Sequence, residues 1–170
     1  AFESAAAMRD AGLRPGSTDL YSRWDNATVV TVERVIARLE HAERSVATAS
    51  GMAAIHLALT AALETRSQQP KPRLIMQREV YGATHELVHH VLAPAGVQVE
   101  TVGVDDLITH VSALNAPVVI YLELPTNPLL RVVDFEAVRV ASPPNSRIIV
   151  DATFATPVNT QPLTRLSLIH

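Results

Sequence analysis

One feature limits the fold more than any other: short apolar runs alternate along the chain with stretches of helical period. The runs are residues 46–49, 74–77, 97–102, 118–124 and 147–151, and a further strand is expected to begin at 166 and run to 170. Between them lie amphipathic stretches. Residues 31–44 place Val32, Val35, Ile36 and Leu39 on one face, and Met52, Ile55, Leu59 and Leu63 repeat at helical spacing. Residues 84–92, closed by Pro94 and Gly96, residues 105–114 and residues 135–140 complete the set. Prolines punctuate the joins: Pro70 and Pro72 in a loop over 68–73, Pro125 and Pro128 after the most apolar strand, and Pro143-Pro144 before the next. Alternation at this pace predicts an α/β fold, a mostly parallel sheet with helices on both faces. Ligands in such sheets sit at the carboxyl ends of the strands. The polar residues Ser50, Gly51, Tyr81, Asn127 and Asp151 gather there.

Composition narrows the function classes. A chain of 170 residues, nearly half hydrophobic and 18% charged, can bury one real core and is globular. Its net charge of −3 gives no electrostatic reason to bind nucleic acid or an anionic membrane surface. With no cysteine it can form neither disulfides nor thiolate metal sites, which suits a reducing, cytoplasmic location. No apolar run approaches the roughly 18 residues of a membrane span. Residues 1–11 lack the basic and apolar regions of a secretory signal, and without an initiator methionine the chain is expected to be processed or partial. Lys71 is the sole lysine.

Three constellations carry chemistry. Ser50-Gly51-Met52 stands between an apolar run and an alanine-rich helix. Free N–H groups and the positive end of the dipole make such a start a phosphate site, and the same residues also read as ordinary turn chemistry. Asp151 ends an apolar strand, where a buried carboxylate needs a cation or a donor. A protonated pyridine nitrogen would serve, and so would loop N–H groups that the aspartate caps. In Glu123-Leu124-Pro125-Thr126-Asn127-Pro128, two prolines bracket Thr-Asn and predict a rigid turn presenting the Asn127 amide, or else a plain strand-to-helix loop.

The order of these segments resembles a known family. Tyr21-Ser22-Arg23 is followed by Ser50-Gly51-Met52-Ala53-Ala54, then Tyr81-Gly82-Ala83-Thr84, the Pro-Thr-Asn-Pro turn, and Asp151-Ala152-Thr153-Phe154-Ala155-Thr156-Pro157. The series resembles the pyridoxal-phosphate-dependent (PLP) trans-sulfuration enzymes: cystathionine gamma-synthase, cystathionine gamma-lyase, methionine gamma-lyase and the homoserine sulfhydrylases. The resemblance implies a partial three-layer fold-type I large domain over 29–170, incomplete at its C-terminal end, and an N-terminal arm over 1–28 that reaches a neighbouring subunit of a dimer or tetramer. It implies gamma-replacement or gamma-elimination on homoserine esters, cystathionine or related small amino acids. Ser50 and the Gly51 and Met52 amides would bind the cofactor phosphate. Tyr81 would stack on the ring and act in proton movement, and Asp151 would pair with the ring nitrogen. Thr153 would lie beneath the ring and Asn127 near its phenolic oxygen. Tyr21 and Arg23 would reach a neighbour's phosphate, which a guanidinium can bind through two oxygens at once.

Departures from the pattern are specific. Asn26-Ala27-Thr28 stands where the family has Asn-Pro-Thr, and Asp151-Ala152-Thr153 where it has Asp-Asn-Thr. The family's Ser-x-Thr-Lys segment, whose lysine carries the cofactor as a Schiff base, has no counterpart up to His170. Lys71, in its proline-flanked loop, matches no family motif. The chain is therefore expected to be a fragment ending before that lysine and not a working enzyme as it stands. A truncated non-catalytic paralogue is the alternative. A remoter one is a zinc hydrolase, because His85-Glu86-Leu87-Val88-His89 fits H-E-x-x-H on a predicted helix. No third ligand follows at a suitable distance, and no metal is expected.

Overall fold

The computed structural model describes residues 3–12, 26–63 and 73–166. They fall into two compact units, Ala1–Ala47 and Thr48–His170.

The first unit holds helices α1 (Ala5–Gly12) and α2 (Ala27–Leu39). Helix α2 starts four residues before the apolar pattern predicts, because Asn26 caps it: its side-chain oxygen accepts from the N–H groups of Thr28 and Val29. Ala27 is thus the first helical residue, a position where proline would also fit, so the departure from Asn-Pro-Thr leaves the helix start intact. The helix stops at Leu39, before the expected Arg44, and His41 adopts a positive φ of 52°. The strand expected over 46–49 does not form. Ser45 Oγ donates to the Glu33 carbonyl at 2.6 Å and the Ala47 N–H to Glu33 Oε1 at 2.8 Å, so this backbone is pinned to a helix instead of a sheet.

The second unit is the α/β body. Helix α3 (Gly51–Leu63) precedes strand β1 (Arg73–Gln77), and α4 (Gly82–Leu87) runs on as a π-helix over Val88–Leu92. Then follow β2 (Gln98–Val102), α5 (Leu107–Ser112), β3 (Val119–Glu123), α6 (Phe135–Ala141) and β4 (Arg147–Asp151). Short helices α7 (Thr156–Asn159) and α8 (Pro162–Leu166) close it. Leu166, expected to open a strand, instead ends α8; Pro162 at the first helical position favours that helix. Residues 167–170 lie outside the described residues.

All described strands are parallel, in the order β2-β1-β3-β4. Side-chain alternation divides the core between the two faces. Leu74 and Met76 of β1 and Val119 and Tyr121 of β3 pack with Leu59 and Leu63 of α3 and Val88 and Leu92 after α4. Ile75, Ile120 and Leu122 turn the other way, onto Leu107 and Val111 of α5 and Phe135 and Val138 of α6. Both faces are covered, as a parallel sheet requires.

The order also fixes a topological switch point. The connection leaving β1 crosses the α3–α4 face to β2, whereas that leaving β3 crosses the α5–α6 face to β4. The carboxyl ends of β1 and β3 therefore border a crevice of the kind that holds ligands.

Ile120, fully buried at the middle of β3, should be expensive to truncate. Ile120→Ala is expected to cost about 2–5 kcal/mol in urea unfolding, whereas Val132→Ala, at a residue 78% exposed, should stay within about 0.5 kcal/mol.

Candidate functional site

The ladder between β1 and β3 ends at Met76 and Tyr121. Beyond it β1 stays with β2, through the Arg78 N–H to the Val102 carbonyl, and β3 stays with β4, through the Leu124 N–H to the Asp151 carbonyl. Side chains bridge the gap that opens. The Glu123 N–H donates to Gln77 Oε1 at 3.3 Å, Gln77 Nε2 donates to the Glu79 carbonyl at 3.0 Å, and the Tyr81 N–H donates to Glu123 Oε2 at 2.6 Å. Gln77 is fully buried and Glu123 only 4% exposed. Burial pushes the Glu123 carboxyl above the usual range, the Tyr81 N–H partly offsets this, and the charge of Asp151 adds to it.

Asp151 lies in register with Glu123 on the neighbouring strand and is half-buried. Tyr121 Oη donates to its Oδ2 at 3.0 Å, while the Thr153 N–H (3.1 Å) and Oγ1 (2.5 Å) donate to its Oδ1. Burial, then the Asp151 charge, raises the Tyr121 phenol above the ordinary tyrosine range, so it stays a neutral donor. A carboxylate offers about four lone-pair sites. With Oδ1 doubly engaged and Oδ2 singly, Asp151 keeps capacity for one more donor. Thr84 Oγ1, fully buried beside the phenol, has no well-aligned hydrogen-bond partner.

Helix α3 runs antiparallel to the strands. Arg147 Nη1, at the start of β4, donates to the Ala62 carbonyl near the helix end at 2.7 Å, which puts the helix start at the carboxyl edge of the sheet. There Ser50 Oγ accepts the Ala53 N–H at 3.1 Å. The Gly51 and Met52 N–H groups have no partner among the described residues, as expected for a first turn. The space beside Gly51 is open: an added Cβ would meet nothing within 4 Å. An unpaired helix start and a carboxylate with room for a donor together fit a ligand carrying an anionic group and a ring N–H.

The structure thus brings Tyr81 and Asp151 to one side of the sheet through β3, and sets Ser50, Gly51 and Met52 at the same edge. Tyr81 stands immediately before α4 with its ring half exposed. Asn127 is half-buried in a loop organised by its neighbour Thr126, which is fully buried. The Thr126 N–H donates to the Arg131 carbonyl, and Thr126 Oγ1 and carbonyl accept the Arg131 and Leu130 N–H groups. The Leu124-Pro125 and Asn127-Pro128 bonds in that loop are both cis. Arg131 also pairs with Asp105, whose carboxyl that hydrogen bond holds below the usual range. Tyr21, Arg23 and Lys71 lie outside the described residues.

Sequence reasoning missed Gln77, Tyr121 and Glu123. A usable signal existed, because Tyr121 and Glu123 are polar-tipped residues two apart in the most apolar strand and so share one face of it.

The H-E-x-x-H residues are arranged for other contacts. His85 Nε2 bonds the Arg78 carbonyl at 2.8 Å and its ring stacks on His89, with centroids 5.9 Å apart. Glu86 pairs with His90. Among the described residues no group of three or more His, Cys, Asp or Glu is placed to hold a metal ion. No helix among them is long and apolar enough to cross a membrane. A cavity of about 690 Å³ is lined by Leu124, Val132, Phe135, Phe154 and neighbours, and Tyr81, Gly51 and Asp151 are not among its lining residues.

Comparison with known proteins yields a consistent set. Residues 2–166 match the family model described as Cys/Met metabolism PLP-dependent enzyme. The chain is 39% identical over 160 residues to an O-succinylhomoserine sulfhydrylase of Pseudomonas aeruginosa, covering 93% of this chain and 38% of that protein. It is 37% identical over 147 residues to an L-methionine gamma-lyase of Fusobacterium nucleatum subsp. polymorphum, covering 85% of this chain and 36% of that protein. The crystal structure of cystathionine gamma-lyase from Lactobacillus plantarum complexed with L-serine superposes with a TM-score of 0.75 at 34% identity, over 90% of this chain and 39% of that one. The chain thus spans just over a third of the length of the curated relatives it matches.

Glu123 gives a pH test with a definite sign. A carboxyl raised in the fold stabilises most below its unfolded value, about 4.3, and loses that contribution as pH rises through the folded value. The stability of the parent relative to Glu123→Gln, measured by urea unfolding between about pH 4 and 7, should therefore fall as pH rises. A flat difference would contradict the burial of this carboxyl.

Proposed function

Because the chain belongs to the Cys/Met metabolism PLP-dependent enzyme family, we propose that it forms the phosphate- and ring-binding part of an enzyme acting at the gamma carbon of sulfur amino acids or activated homoserine. The observation that carries this reading is the Asp151 carboxylate, oriented by three donors and keeping a lone pair free at the carboxyl end of the sheet.

Each residue has a physical task. Gly51 and Met52 donate their free N–H groups to the phosphate beside Ser50, and the dipole of a 13-residue helix favours the anion. Asp151 holds the proton on the pyridine nitrogen by supplying the opposite charge. Bound pyridoxal phosphate supplies an electron sink for chemistry at the substrate carbon. Tyr81 lies against the ring and can hold or pass a proton at its phenolic oxygen, Thr153 supports the ring from beneath, and Asn127 donates near the ring's phenolic oxygen. Tyr21 and Arg23, on an arm over 1–28, extend to the phosphate of a neighbouring subunit, so the working unit is a cytoplasmic homo-oligomer with small amino-acid substrates. The names of the matched sulfhydrylase and gamma-lyase support substrates of this class. Within these 170 residues the hold on the cofactor is noncovalent, since the single lysine, Lys71, matches no family motif.

Titrating the chain with pyridoxal phosphate should show reversible binding, weakened by about tenfold to a hundredfold in Asp151→Ala, the worth of one hydrogen bond to a charged group. Borohydride treatment should leave no covalent label on Lys71. Equal binding by parent and Asp151→Ala, or a stoichiometric label, would overturn the reading.

A further inference from the structure

The short segment that carries Tyr81 is anchored residue by residue. Arg78 is held by β2 through its N–H, and its carbonyl takes the His85 ring. Glu79 reaches the Val104 N–H with Oε2 at 3.0 Å, and its carbonyl takes the Gln77 amide. Tyr81 precedes α4 with extended dihedrals (φ −54°, ψ 134°) and makes no side-chain cap of its own. Its N–H is bound from across the crevice by Glu123, whose own backbone is tied to Gln77. A partly buried N–H that loses its acceptor is costly, and linked hydrogen bonds around buried side chains such as Gln77 and Glu123 stiffen the backbone they hold. The crevice between β1 and β3 is therefore closed at its base by a polar lock from Gln77 through Glu123 to Tyr81.

We infer that Glu123 is a positioning residue, which fixes the Tyr81 backbone, and with it the ring, over the switch-point crevice. The inference rests on the reading of Tyr81 as the ring that lies against the cofactor. Glu123 need not touch the ligand. Its task is to stop the start of α4 from shifting when the half-exposed Tyr81 ring is loaded on one side. A carboxylate suits that task because it accepts the N–H at 2.6 Å without needing a proton of its own, and a glutamine oxygen could accept in the same place.

The test compares Glu123→Leu with Glu123→Gln in the 170-residue chain, by amide hydrogen exchange without ligand and by titration with pyridoxal phosphate. In Glu123→Leu the Tyr81 amide should exchange about tenfold faster or more, while the Ile120 amide in β3 keeps its protection. Glu123→Gln should restore Tyr81 protection to within about threefold, and pyridoxal phosphate affinity should follow the same order. Unchanged Tyr81 exchange in Glu123→Leu would overturn the inference, as would equal loss of protection at Tyr81 and Ile120 in both variants. Faster Tyr81 exchange with unchanged affinity would support the lock and instead count against Tyr81 as the ring platform.

Discussion

The parallel ladder between β1 and β3 carries three residue pairs and then parts, and most of what the site contains follows from that parting. Backbone groups released from a ladder inside a closed core must find other partners. Here Gln77 and Glu123 provide them. The strands diverge because the connection leaving β1 covers one face of the sheet and that leaving β3 covers the other. Glu123 and Asp151, in register on adjacent strands, then place two carboxylates side by side. The interior tolerates them because each is met by donors: the Tyr81 N–H for one, Tyr121 and Thr153 for the other.

The same geometry explains why two departures from the family pattern leave the architecture whole. Ala152 replaces a side-chain amide, yet Thr153 already supplies two donors to Asp151 Oδ1 and Tyr121 supplies one to Oδ2. The carboxylate is held without that amide. Ala27 replaces a proline at the first position of α2, where proline contributes a fixed φ and no hydrogen bond. Asn26 remains to cap the helix.

Much of the fold was legible because the strands are apolar or alternating segments bounded by breakers, as in Ile120-Tyr121-Leu122 before Pro125 and Val99-Glu100-Thr101-Val102 after Gly96. The run at 46–49, Val-Ala-Thr-Ala, is also short and mostly apolar but pairs with no strand among the described residues. It is tied instead to Glu33, a long-range choice that local pattern does not encode. Helix α8 was missed because only its last residue, Leu166, was read, as the start of a strand, whereas Pro162 at the first helical position opens a helical turn four residues earlier. At the site, Asp151 and Tyr81 stood out by position at a strand end and before a helix. The roles of Tyr121 and Glu123 depend on which strand lies beside β3 and in what register, and register is a property of the assembled sheet.

The central claim is that one edge of this sheet binds a phosphate at the start of α3 and a ring at Asp151 together. Amide chemical-shift mapping during addition of pyridoxal phosphate tests it most directly. The account predicts that the amides of Gly51, Met52, Tyr81 and Thr153 move together on one binding curve. Shifts confined to the cavity around Val132 and Phe135, or to the His85–His89 pair, would contradict it.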